Sequence, residues 1–326
     1  VPILARVNFL RGRAPVIRPD VDRRRLDLVD VATGAPLPIF NGSVGSTTYV
    51  ALSGLTGLRM APRTFTEREY PGMDGARIEQ IRRAPRDVVI PLFVEAKDQR
   101  ILTHLDQLDE LGQAMSYDFN DYATDEGTLD LVATGQDGST RRLRCYYVDG
   151  LEGAEGFSAS NATYWSMFDV KLRAVDPLWR GEPWTTPSIG LPTDDPFLSD
   201  DPADEWPRRL SPAIALGADM PLSIPGRVPS PASVELIGPA STTRVASPGG
   251  LDVTIGPIAD GDVFLLETGR RKRALLNGVD AWEKVGTSPK WRPLPPGETT
   301  ITVQMSGATA ASHARVFGES LHESAW

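Results

Sequence analysis

Asp176-Pro177-Leu178-Trp179-Arg180-Gly181 is the stretch on which the chain turns. Before it, residues 163–175 alternate as a long strand, with Tyr164, Phe168, Val170 and Leu172 on one side and Asp169, Lys171 and Arg173 on the other. After it, the chain is rich in proline, aspartate and glycine and can sustain neither helix nor sheet for long. This reads as one β-rich domain ending and a second beginning. The predicted division is 1–180, an acidic, proline-rich linker or arm over 181–210, and 211–326.

Working upstream, Ile3, Ala5, Val7 and Phe9 alternate with Arg6 and Asn8 as in a half-buried strand. Weaker strands follow at 25–31 and 48–52, then a strand-like run from Arg63 that closes on the turn signals Pro71-Gly72 and Asp74-Gly75. Asp87 to Glu95 is apolar on both faces, which predicts a central strand covered on both sides. Pro91 inside it calls for an edge position or a bulge, because proline donates nothing to a ladder. One helix is predicted over 98–113, capped by Asp98, with Ile101, Leu102, Leu105, Leu108 and Leu111 turned inward and Gly112 near its end. His104, Asp106, Asp109 and Glu110 then fall on its solvated face, a plainer reading than a catalytic or metal group. Strands at 128–134 and 141–148 flank the hairpin loop Gly135-Gln136-Asp137-Gly138-Ser139.

Working downstream, six carboxylates between Asp194 and Glu205 stand among prolines. They lack the alternating ligand spacing and fixed glycine of a calcium loop. From Ser211 onward short strands recur with turns between them, at 233–238, 251–255, 262–266, 272–276, 299–305 and 311–317. Asn277-Gly278 marks a tight turn, and Pro293-Leu294-Pro295-Pro296-Gly297-Glu298 is a stiff approach to the next strand. The expected fold is mainly β: an antiparallel domain with one packed helix, then an all-β domain.

Composition agrees. Glycine and proline, 30 and 28 of 326 residues, favour turns over long helices. The net charge of −9 argues against a duplex-binding protein, which needs clustered cations to displace phosphate counterions. Arg270-Arg271-Lys272-Arg273 is a short exception, read as a solvated turn or a subunit contact. One cysteine, Cys145, on the apolar side of a strand, permits no internal disulfide and is read as a buried thiol. Three histidines, His104, His313 and His322, lie too far apart in sequence to suggest zinc spacing, and no cofactor is implied. No apolar run reaches bilayer length, and the arginine-studded first twenty residues do not resemble a secretion signal.

With both halves placed, three stretches resemble the distal tail protein family of siphophages, the siphovirus-type tail component. They are Asp176-Pro177-Leu178-Trp179-Arg180-Gly181, Arg273-Ala274-Leu275-Leu276-Asn277-Gly278-Val279-Asp280, and Trp291-Arg292-Pro293-Leu294-Pro295-Pro296-Gly297-Glu298-Thr299-Thr300-Ile301. Pro71-Gly72-Met73-Asp74-Gly75 before an apolar strand and then a helix completes the pattern. Leu178 stands where the family usually has an aromatic and Thr299 where asparagine is common, and the acidic segment 191–206 has no counterpart. The resemblance implies a galectin-like β-sandwich for the second domain. It also implies a homohexameric ring at the distal end of a virion tail, joining the tail tube to the tip hub and anchoring tip or receptor-binding proteins. An acidic subunit suits a channel through which DNA slides.

Two other classes compete. A wall hydrolase needs opposed carboxylates across a sugar cleft, and no local motif points to such a pair. A saccharide-binding module could stack sugars on Trp206, Trp282 or Trp291. Trp282 follows the Asn277-Gly278 turn closely, where a core or interface role is the plainer reading.

Overall fold

A computed structural model describes residues 23–31, 33–41, 48–72, 74–116, 128–152, 164–190 and 215–326. The strand expected at 3–10, the acidic stretch 191–206 and Trp206 lie outside these residues. In chain order the first part comprises β1 (Arg25–Asp30), β2 (Pro36–Asn41), β3 (Tyr49–Ala51), β4 (Arg63–Glu69), β5 (Ala76–Arg83), β6 (Arg86–Glu95), α1 (Ile101–Met115), β7 (Leu129–Thr134), β8 (Thr140–Asp149) and β9 (Trp165–Ala174). β10 (Trp179–Thr185) and β11 (Ile189–Gly190) follow. The second part holds β12 (Ala215–Ile224), β13 (Ala232–Ile237), β14 (Thr242–Ala246), β15 (Leu251–Ile255), β16 (Val263–Glu267), β17 (Arg273–Leu276), β18 (Val279–Asp280), β19 (Lys290–Trp291), β20 (Gly297–Ser306) and β21 (His313–His322). The fold is mainly β, and the paired strands are antiparallel.

The first core forms inside a sheet that rolls around it. β2, β1, β7 and β8 lie side by side, and β8 passes from β7 to β9 partway along its length, followed by β6 and β3. A register shift between Tyr147 and Asp149 lets the sheet bend there. Alternate residues point inward, so Leu26, Leu28, Val88, Ile90, Leu131, Leu143, Val170 and Leu172 meet in one cluster with Leu111 and Met115 of α1. Cys145 lies in the same cluster.

Two expectations are corrected here. β6 is not covered on both faces: Val88, Ile90, Leu92 and Val94 are buried, Val89, Pro91 and Phe93 only half so, and Asp87 and Glu95 are exposed. It is nonetheless an inner strand, between β3 and β9. Pro91 accepts from the Leu52 amide through its carbonyl at 2.7 Å. Its ring nitrogen faces that same side, where the three-residue β3 runs out, so the β9 ladder loses no donor.

The helix is turned differently from its leucine pattern. It begins at Ile101, with Asp98 bonding the Arg100 amide and the Thr103 hydroxyl just ahead of it. His104 is 3% exposed, whereas Ile101, Leu102 and Leu105 are 41%, 71% and 40% exposed. The inward side is held partly by polar contacts. His104 Nε2 lies 2.8 Å from Ser166 Oγ, and the Tyr49 hydroxyl lies 2.9 Å from the Gln107 carbonyl and 2.7 Å from a Glu110 oxygen. Burial lowers the pKa of His104 and keeps its imidazole neutral.

The second core is a sandwich. One layer runs β18-β17-β16-β13-β21 and the other β12-β20-β14-β15-β19, with Leu236, Val245, Val253, Phe264, Val303 and Val316 between them. The two cores share a seam. β10 pairs with β21 along its length and touches β8 at Arg142, which joins fourteen strands in one continuous sheet. Trp179, at the start of β10, lies in the first core, and Trp184, five residues on, lies in the second.

Candidate assembly site

β4 and β5 form a two-stranded ribbon whose residues are all exposed. Phe65 stands opposite Ile81, and beyond a one-residue bulge Ile78 stands opposite Glu67. The three apolar side chains thus share one face, at 52%, 53% and 50% exposure for Phe65, Ile81 and Ile78. A lone hairpin in water is marginal at best, and an apolar face without cover makes it more so. The other face carries Thr64, Thr66, Arg68, Arg77 and Arg82. Pro71, Gly72, Asp74 and Gly75 lie in the turn at the ribbon tip.

The remaining residues singled out by sequence lie at corners of the fold, not in one place. Asp176 opens the junction: its carboxylate accepts from the Leu178 amide at 3.3 Å and from Arg180 at 3.4 Å. Pro177 follows, and Trp179 is fully buried. Gly181 sits where β10 crosses β21, and a Cβ there would lie 2.5 Å from Ser320 Oγ and 2.8 Å from His322 Nε2. Asn277 and Gly278 form the two-residue loop between β17 and β18, with φ of 52° and 82°, the backbone of a type I′ turn. Asn277 also accepts from the Val263 amide and donates to Asp262. Pro295 and Pro296 lead from buried Leu294 into β20, which begins at Gly297 and Glu298.

Trp282 and Trp291 do come together, edge to face at 5.7 Å, with Lys272 5.8 Å above Trp291. Trp282 is 37% exposed, and Trp291 is packed partly into the second core. β18 and β19 are outer strands of the two layers, so the pair closes an open side of the sandwich. The basic run 270–273 is the exposed hairpin between β16 and β17, with Arg273 bonded to Glu267 at 2.6 Å.

Among the described residues, no group of three or more His, Cys, Asp or Glu is placed to hold a metal. A cleft of about 560 Å³ is lined by Arg24, Phe40, the segment 51–53, the segment 55–59 and Trp326, and none of these side chains is a carboxylate, histidine or thiol. Burial pushes the Cys145 thiol well above its ordinary pKa and so disfavours the thiolate.

No local pattern in the sequence signals how closely the end of the second part binds the first. Residues 323–326 leave β21 and lie on the first core: Ala325 is buried there and Trp326 packs against it. Arg86, 1% exposed, donates to the carbonyls of Gly57 at 2.9 Å and Glu323 at 2.8 Å, and to that of Arg59. Arg141 bonds the Ser324 carbonyl, and the Ala325 amide bonds Leu58.

At this seam burial, aided by Arg141 and Arg227, lowers the His322 pKa to about 4. The folded chain holds His322 neutral where the unfolded chain takes up a proton near pH 6.5. Its contribution to stability is therefore complete above about pH 6.5 and is lost as the pH falls toward 4. His322→Asn is expected to flatten the loss of stability between pH 7 and 4.5 by on the order of 1–2 kcal/mol, read from urea midpoints. Parallel declines in the two proteins would contradict this assignment.

No family model matches the sequence, and no curated protein sequence matches it. The fold, however, is similar to a solved one. The crystal structure of the SPP1 Dit (gp 19.1) protein, a paradigm of hub adsorption apparatus in Gram-positive infecting phages, aligns with a TM-score of 0.58 at 12% identity. The alignment covers 91% of this chain and 98% of Dit. Two structures of the phage p2 baseplate in its activated conformation, with Ca and with Sr, align at 5% identity over 90% of this chain and 97% of theirs, with TM-scores of 0.46 and 0.48. The similarity to Dit extends over both cores and establishes a shared fold.

Proposed function

We propose that the chain is a non-catalytic virion protein at the distal end of a phage tail. In this reading six copies form a ring that joins the tail tube to the tip and anchors tip or receptor-binding proteins. The observation that carries it is the ribbon: fifteen exposed residues with an uncovered apolar face, an element suited to assembly and of little use to a monomer. Exposed Ile101, Leu102 and Leu105 on α1 give the first core a second surface of the same kind. The fold shared with a hub protein supports the same reading. The domains are taken as 1–180 and 211–326 joined by the segment 181–210, whose first residues pair with β21 of the second domain through β10 and β11, with residues 323–326 returning to the first.

Phe65→Asp/Ile81→Asp tests the ribbon. The variant is expected to keep its circular dichroism and the stability of both cores within about 0.5 kcal/mol, since both side chains are exposed and the opposed aspartates strain only the ribbon. It should lose assembly, with the half-assembly concentration rising by about 30-fold or more. Unchanged assembly would remove the ribbon from the interface.

Saccharide binding is the second reading, favoured by the exposure of Trp282 and the cation beside Trp291. It predicts that the protein binds host wall polysaccharide and that Trp282→Ala weakens that binding. The edge-to-face packing of the two rings favours closure of the sandwich instead, for which no saccharide binding is expected.

A further inference from the structure

We infer that Glu323 is a positioning residue for the ribbon, through which the second core sets the orientation of the first core's assembly element. This rests on the reading of the ribbon as that element. Among the described residues the ribbon is anchored at its root, where Arg63 stands opposite Arg83 and the Ala84 amide bonds the Pro62 carbonyl. Two arginines side by side on a narrow ribbon repel one another. Glu323 supplies the counter-charge: one carboxylate oxygen lies 2.9 Å from Arg83 Nε, 2.8 Å from Arg83 Nη2 and 3.8 Å from Arg63 Nη2. Its other oxygen is enclosed without a hydrogen-bond partner, so the arginines are what offset the cost of holding this carboxylate at the seam.

Glu323 cannot swing freely to make these contacts. Arg86 holds its carbonyl, and the next two residues are tied to Arg141 and Leu58. It directly follows β21, which pairs with β13 inside the sandwich. A rigid path therefore runs from the second core along β21, through one carboxylate, to both strands of the ribbon. A displacement of the second core, by a tip partner or by load, reaches the ribbon root by this path. Without Glu323 the ribbon keeps its hydrogen-bond ladder but loses its fixed angle to the sheet.

Hydrogen exchange on the two-core chain carrying Glu323→Gln tests the inference, because the amide keeps the shape and removes the charge. Amides within 63–83 are expected to exchange about 3- to 10-fold faster, the range for two partly exposed ion pairs, while those of β7 and β13 stay unchanged. Glu323→Asp, shorter but charged, should recover part of the protection. Ribbon exchange equal to wild type overturns the inference. So does a uniform rise across the first core, which marks a purely structural role. Exchange is read on the unassembled protein, so failure of the ring reading appears separately, as wild-type protein that never assembles.

Discussion

Trp179→Ala is expected to destabilise the first core by about 3–5 kcal/mol, among the largest effects of any single substitution in the chain. The indole is fully buried, at the place where β10 leaves the first core for the second. Its removal leaves a cavity that neighbours in a close-packed sheet roll cannot fill. The Nε1 donor has no hydrogen-bond partner, so the ring contributes by packing alone. Trp179→Phe should consequently cost less than about 1.5 kcal/mol, the lost volume being offset by removal of an unpaired donor. Trp184, whose indole lies 3.3 Å from Ser230 Oγ, has no such compensation. Native-state hydrogen exchange should show Leu28, Leu131 and Val170 losing protection in Trp179→Ala, while Val245 and Val303 keep theirs. Equal loss in both cores would mean that they unfold as one unit.

Arg86→Ala is the second. The guanidinium bridges three main-chain carbonyls, two in the segment before the ribbon and one at the start of the returning segment. Burial pulls its pKa down and the Glu323 charge acts against this, but an arginine has enough margin to remain a cation. Alanine would leave three acceptors and a void, at a cost of about 3–5 kcal/mol. Lysine should recover only part of this, since one ammonium at the end of a flexible stem cannot match the fork of donors. Urea unfolding gives the magnitude. Fast exchange at Leu58 and Ala325 would locate the damage, and protected amides there would contradict the bridging role.

Much of the fold was legible because strands with one wet face betray themselves. β9, β13, β15, β16 and β17 lie within a residue or two of the segments whose alternation predicted them. The Asn277-Gly278 turn has the backbone its residues require. The helix misled because period alone identifies an apolar face without saying what covers it. Ile101, Leu102 and Leu105 satisfy the pattern yet face outward, while His104 is drawn in by Ser166. The ribbon was half visible: its tip was marked by Pro71-Gly72 and Asp74-Gly75, but β5 (ARIEQIRR) is too polar to declare itself as a strand. β2, β12 and β14 also went unread, being short in clear alternation or interrupted by proline and glycine. The tie from Arg86 to Glu323 joins residues 237 positions apart, and no local pattern carries such a contact.

Assembly is tested most directly by the mass and shape of the purified protein, by light scattering with negative-stain imaging. Ring-shaped particles near six times 35.4 kDa are expected, and they should dissociate in Phe65→Asp/Ile81→Asp. Protein that remains a 35.4 kDa monomer at every concentration, with or without tail tube protein as a template, would contradict this expectation.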